Sequence, residues 1–278
     1  MQKRLDVVVD PGWLEAHRDD SKVRLIEVDF DGTAAYDAGH IPGALGWYWK
    51  DALWDSLSRE FPSPEEFARR LGAAGIADDT TVVFYGEPHQ FGTYGWWAFR
   101  YCGHRDARVL DGGRTRWVKE GRPLMTEAPK ITPVSYTPRP RDEGMRAARN
   151  AVLAALHDSG AIILDNRSPE EYRGERVNIV GRPDHGAERY GRIPGARHLH
   201  FADLLQADGR FKPAPELRAL AEARGATADK DIILYCRLSH RATLVYFVLT
   251  QLLGYPRVRS YDGSWTEWGS MVGMPIER

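Results

Sequence analysis

Asp231-Ile-Ile-Leu-Tyr-Cys-Arg-Leu-Ser-His-Arg241, running on into Ala242-Thr-Leu-Val-Tyr-Phe-Val-Leu249, is the stretch that decides the fold. Residues 231–235 form a short apolar run opened by a charge, the pattern of a buried strand. From Ala242 the spacing of Leu244, Val245, Phe247, Val248 and Leu252 predicts a helix over 242–253 with one core side. Gly254 stands where that helix stops. A buried strand, a six-residue corner and a helix make one turn of a parallel α/β sheet. In such sheets chemistry gathers beyond the carboxyl ends of the strands.

The same landmarks occur earlier in the chain. Val82-Val-Phe-Tyr85 matches Ile232-Ile-Leu-Tyr235, Ile41-Pro-Gly-Ala44 matches Ile193-Pro-Gly-Ala196, and Asp111-Gly-Gly-Arg-Thr-Arg-Trp117 matches Asp262-Gly-Ser-Trp-Thr-Glu-Trp268. Three landmarks repeated in one order predict a duplicated domain. Prolines at 123, 129, 133, 138 and 140 lie between the copies and predict an extended linker. The expected organisation is therefore an N-terminal domain over 1–125, a linker over 126–142 and a C-terminal domain over 143–278. Apolar runs at 23–28, 81–85 and 161–164 predict further buried strands. Helices are expected at 64–74, 94–102, 149–159 and 215–224, with Pro64 and Pro215 near helix starts. The fold class that follows is α/β: two tandem domains, each a mainly parallel central sheet with helices on both faces.

The 278 residues carry a net charge of −1, with 42% hydrophobic and 28% charged residues. That balance gives no global field for nucleic acid or a membrane surface, so anion chemistry must come from a local cluster. No signal-like segment opens the chain and no run is long enough to span a bilayer. Two cysteines, Cys102 and Cys236, exclude a disulfide framework and predict a reducing, cytoplasmic setting. Cys102 follows Trp96-Trp-Ala-Phe-Arg-Tyr101 and reads as core filler.

Cys236 sits at the strand–helix corner with Arg237, Leu238, Ser239, His240 and Arg241 behind it. Loop amides and a helix N-terminus form a nest for an anion and favour the thiolate. Arg237, Arg241 and protonated His240 act in the same direction. An apolar core would not accept such neighbours around a structural thiol. A zinc site from Cys236 and His240 would need two more ligands, and no CxxC or HxxxH supplies them.

With Gly39-His-Ile-Pro-Gly-Ala44, Leu110-Asp-Gly-Gly113, Asp165-Asn-Arg167 with Tyr172, Gly186-Ala-Glu-Arg189, Arg192-Ile-Pro-Gly-Ala196, the Cys236 loop and Tyr261-Asp-Gly-Ser-Trp265, the chain resembles the tandem-domain rhodanese family of sulfurtransferases, of the thiosulfate or 3-mercaptopyruvate type. The resemblance implies a silent first domain, and Gly86 stands where Cys236 stands in the second. It implies a persulfide on Cys236, a small anionic sulfur donor such as thiosulfate, a thiol or cyanide acceptor, and no metal or organic cofactor. Arg237, Leu238, Ser239, His240 and Arg241 would bind the donor, with Asp165, Glu171 and Arg189 behind them.

Glu171 occupies a place where many members carry arginine, and Arg173, Arg176 and Arg189 are the candidates to replace it. The arginines at both ends of the loop place it nearer the thiosulfate type than the 3-mercaptopyruvate type. One rival is a phosphatase of related fold with a Cys-x5-Arg loop, but only four residues separate Cys236 from Arg241. Another is a non-catalytic sulfur-carrier or interaction module. The insertion 174–190, absent from the first copy, reads as a surface loop.

Overall fold

The computed structural model describes residues 7–177 and 186–278; residues 178–185 of the expected surface loop at 174–190 lie outside the described residues. The chain divides into two compact units: one runs to Glu143 and takes in Ala207–Phe211, and the other is built from the rest after Gly144. The first unit holds β1 (Val8–Val9), β2 (Val23–Asp29), β3 (Ala44–Tyr48), β4 (Thr81–Glu87) and β5 (Ala107–Leu110) in the order β1-β5-β4-β2-β3. The second holds β6 (Arg146–Ala147), β7 (Ala161–Asp165), β8 (Arg197–His198), β9 (Asp231–Tyr235) and β10 (Val258–Tyr261) in the order β6-β10-β9-β7-β8. All of these pairings are parallel, and the two orders are the same permutation. The expected α/β class with two parallel sheets is what the chain adopts.

Central strands β4 and β9 are apolar over Val82–Tyr85 and Ile232–Tyr235 because both faces of each sheet are covered. The repeated landmarks do the same work in each unit. Gly43 (φ 84°) and Gly195 (φ 70°) take the left-handed place of the Ile-Pro-Gly-Ala turns, a conformation that costs other residues more. Tyr36 donates its hydroxyl hydrogen to the Ala44 carbonyl at 2.8 Å, and Tyr172 does so to Ala196 at 3.0 Å. Trp117 Nε1 donates to the Pro123 carbonyl and Trp268 Nε1 to the Pro275 carbonyl, each at 2.8 Å. These tryptophans anchor the segment that follows the last strand.

Residues 126–142 form neither helix nor strand; most are exposed, and a few contacts tie the segment to the first unit. Val134 N–H donates to the Gly72 carbonyl at 2.9 Å, Tyr136 OH lies 3.1 Å from His104 Nδ1, and Thr137 Oγ1 donates to Asp78 at 2.7 Å. Gly72 makes room for the segment, since a Cβ there would lie 2.4 Å from the Val134 carbonyl oxygen.

Helix boundaries differ from the periodicity. The helix after β9 is His240–Phe247, opening two residues before the predicted start. It continues as a π turn over Val248–Leu252. No described helix is long and apolar enough to cross a membrane.

Candidate active site

Cys236 is the first residue beyond β9 and is 1% exposed. The neighbouring strands set its surroundings. On one side Asp165, the last residue of β7, pairs with Tyr235, and Asn166 N–H donates to the Tyr235 carbonyl at 2.9 Å. On the other side β10 ends at Tyr261, and the Asp262-Gly-Ser-Trp265 turn comes under the Cys236 loop.

Ser264 organises that loop. Its Oγ accepts hydrogen bonds from Cys236 N–H and Ser239 N–H, both at 3.2 Å, and donates to the Tyr261 carbonyl at 2.8 Å. Trp265 N–H donates to the Cys236 carbonyl at 3.0 Å, and Thr266 donates to the Arg237 carbonyl through N–H at 3.1 Å and through Oγ1 at 2.8 Å. Ser239, in the left-handed region at φ 69°, turns the chain into the helix, and its Oγ lies 2.8 Å from Ser260 Oγ.

Ser264 was not among the residues singled out from sequence. Its backbone is also left-handed, at φ 51°, a conformation that costs a non-glycine residue about 1–2 kcal/mol. The first copy has Gly113 there, at φ 50°. The serine in Asp262-Gly-Ser against the glycine in Asp111-Gly-Gly was the available signal. Strain of this kind gathers at functional sites.

His240 and Arg241 lie in the first turn of the helix rather than in the loop. The N–H groups of that turn lack intrahelical acceptors and face the loop end with positive polarity. Since Cys236 precedes the helix, it shares no helix face with His240, and no metal-holding group of three or more His, Cys, Asp or Glu occurs among the described residues. Leu238 is half-buried. Arg237 is buried and lies against Gly186, where a Cβ would come within 2.8 Å of Arg237 Cδ.

Arg241 is clamped by Glu171. Nη1 donates to Oε2 at 2.6 Å and Nη2 to Oε1 at 3.0 Å, the parallel two-bond geometry that arginine favours. Burial pushes the Glu171 carboxyl up, but the Arg241 charge and hydrogen bonds outweigh it and hold the carboxyl down at about 2. Burial likewise disfavours the Arg241 charge; Glu171 overrides it, and a charge on Cys236 adds to the upward shift.

Asp165 and Arg167, both wholly buried, form the base of the site. Arg167 Nη2 donates to Asp165 Oδ2 at 2.6 Å and to the Gly191 carbonyl at 2.8 Å, and Tyr235 OH donates to Asp165 Oδ2 at 2.6 Å. Arg189 stands one residue back from the loop: its carbonyl accepts the Trp265 Nε1–H at 3.0 Å, while its guanidinium donates to the carbonyls of Gly269, Met274, Trp268 and Met271. It ties down the C-terminal segment and has its donors committed there. Arg173 pairs with Glu175, while Arg176 pairs with Glu170 and donates to Ser168 Oγ. All three arginines weighed as replacements at Glu171 are engaged in these other contacts.

The first unit provides an internal comparison. Tyr85 donates to Glu27 as Tyr235 does to Asp165, and Arg114 from another element bonds to Glu27 and the Gly39 carbonyl. Above this base the chemistry differs. Asp29 takes the place of Arg167, and burial, with Glu27 beside it, pushes its carboxyl up to about 7. Gly86 takes the place of Cys236, and a Cβ there would lie 2.5 Å from Gly92 N and 2.7 Å from the Val28 carbonyl oxygen. Gly86→Cys is therefore expected to lower stability by about 1–3 kcal/mol through overpacking, measurable by urea unfolding.

The sequence model of the rhodanese-like domain matches residues 10–120 and 149–271. Among curated proteins, one from Thermus thermophilus named "Sulfur carrier protein TtuD" is 48% identical, covering 98% of this chain and 97% of its own. A "Putative thiosulfate sulfurtransferase" from Haloferax volcanii is 42% identical, covering 98% and 96%. Among solved structures, wild-type EanB superposes with a TM-score of 0.87 at 24% identity, covering 99% of this chain and 69% of that one, a likeness of fold.

Proposed function

This chain belongs to the rhodanese family of sulfurtransferases, and from that membership we propose that it transfers the sulfane sulfur of thiosulfate to cyanide or a thiol through a persulfide on Cys236. The observation that carries the reading is the seat of Cys236: a buried thiol at a strand end, just ahead of a helix N-terminus, in a loop whose amides are pinned by Ser264. The relative named as a thiosulfate sulfurtransferase supports the donor class.

In this reading the Cys236 thiolate attacks the outer sulfur of thiosulfate. The sulfur–sulfur bond of the donor breaks and its electron pair leaves on sulfite. The new persulfide lies among the loop amides and the first turn of the helix, which favour the charge on its outer sulfur. A cyanide or thiolate acceptor then attacks that sulfur, and the pair returns to Cys236. Arg237, Leu238, Ser239 and His240 surround the donor, and Asp165 and Glu171 hold the arginines in place. Ser264 fixes the pitch of the loop through the amides of Cys236 and Ser239.

The first domain is proposed as silent, because Gly86 has no room for a side chain and Glu27, Asp29 and Glu87 stand near its strand ends. The proposed domain limits remain 1–125 and 143–278, joined by 126–142, and the proposed setting is cytoplasmic. The relative named as a sulfur carrier supports a second reading of the same site, in which the persulfide is handed to a protein acceptor.

Intact mass spectrometry after incubation with thiosulfate tests the proposal. One added sulfur atom is expected, located at Cys236 and removed by cyanide. A protein of unchanged mass would overturn the reading.

A further inference from the structure

The arginines behind Cys236 are matched by carboxylates. Arg167 is held by Asp165 and Arg241 by Glu171, and the side chains of the second pair are 15% and 4% exposed. Glu171 is itself fixed from behind, because its Oε2 accepts Ser168 N–H at 3.1 Å while its own N–H donates to Ser168 Oγ at 3.4 Å. This capping box sets the carboxylate in place before any ligand arrives. With its carboxyl held down at about 2, Glu171 is ionised throughout the neutral range.

The charge that Arg241 brings to the thiol is thereby largely cancelled by a fixed counter-ion. An anion entering such a site is attracted by the helix end, the loop amides and Arg237. A dianion gains less than it would from an unmatched Arg241, and a monoanion gives up less. Because sulfite leaves as an anion, weaker attraction also favours its release.

We propose that Glu171 is the specificity-determining residue of this site: as the counter-ion of Arg241 it holds down affinity for dianionic sulfur donors relative to monoanionic ones. The assignment rests on the sulfurtransferase reading of Cys236 and adds to it the residue that sets the accepted charge.

Glu171→Gln is the direct test, since glutamine keeps the length and can serve the same capping box. KM is measured for thiosulfate, a dianion, and for 3-mercaptopyruvate, a monoanion, between about 20 and 300 mM salt. The variant is expected to lower KM for thiosulfate on the order of tenfold relative to that for 3-mercaptopyruvate, with a steeper dependence on salt. Sulfite is expected to become a stronger product inhibitor. Should the glutamine variant fail to fold, Glu171→Asp, which shortens the clamp, is expected to move the donor ratio in the same direction by a smaller factor. A donor ratio unchanged within twofold in the folded variant, or one moving toward 3-mercaptopyruvate, would overturn the assignment while leaving the sulfurtransferase reading intact. A wild-type protein that turns over neither donor and forms no adduct would sink both.

Discussion

Cys236→Ser is expected to cut thiosulfate-to-cyanide turnover by at least about 10³-fold, roughly 4 kcal/mol of barrier. A serine hydroxyl does not ionise at neutral pH, and its oxygen does not form the sulfur–sulfur bond that carries the transfer. The scaffold should hardly notice the change. The bonds that shape the loop here run through the Cys236 N–H to Ser264 and the Cys236 carbonyl to Trp265, both of them main-chain groups that serine retains. Near-native unfolding with lost turnover would therefore separate chemistry from folding. Cys102→Ser, in the helical end Tyr101-Cys102 of the first unit, is the control and should retain transfer. More than about a tenth of wild-type turnover in Cys236→Ser would be incompatible with an obligatory persulfide at that position.

The fold was legible because its signals are local and occur twice. Ile232–Tyr235 and Val82–Tyr85 are short apolar runs, and such runs become strands wherever helices cover both faces. The Ile-Pro-Gly-Ala turns depend on the backbone freedom of one glycine each, which sequence shows directly. What escaped the sequence depends on tertiary contact. Ser239 starts the helix at His240 because its left-handed backbone closes the corner two residues sooner than the apolar spacing suggested. Glu171 and Arg241 stand 70 positions apart, and only the pairing of β7 with β9 brings the elements that follow them together. Arg189 was expected behind the loop; its carbonyl meets Trp265 there, but its guanidinium turns to carbonyls of the C-terminal segment, which sequence does not show. The proline-rich segment read as a linker; its contact with the first unit depends on Gly72, whose missing side chain is informative only once Val134 is seen against it.

The buried pair beneath the site should produce the largest loss of stability. Arg167→Ala is expected to cost about 3–5 kcal/mol, because it leaves Asp165 wholly buried without its counter-ion. Two donors would still reach that carboxylate, the backbone N–H of residue 167 at 3.0 Å and Tyr235 OH at 2.6 Å. Neither carries a positive charge. The pair need not stabilise the fold relative to an apolar substitute, however. Arg167 Nη1 is buried with no hydrogen-bond partner among the described residues, and the guanidinium lies over the Trp265 ring at 4.5 Å. An orphaned N–H in a low-dielectric site reduces what the pair returns for its desolvation. Asp165→Asn combined with Arg167→Met should therefore recover most of the loss, since it removes both charges and keeps a flexible apolar chain against Trp265. Arg114→Ala should be similarly costly in the first unit, where Glu27 is wholly buried and Gly86 stands in place of the cysteine. Urea unfolding of the three variants decides the matter. A loss below about 1 kcal/mol in Arg167→Ala, or a double variant no more stable than the single, would show that the charge pairing is not what holds this part of the sheet together.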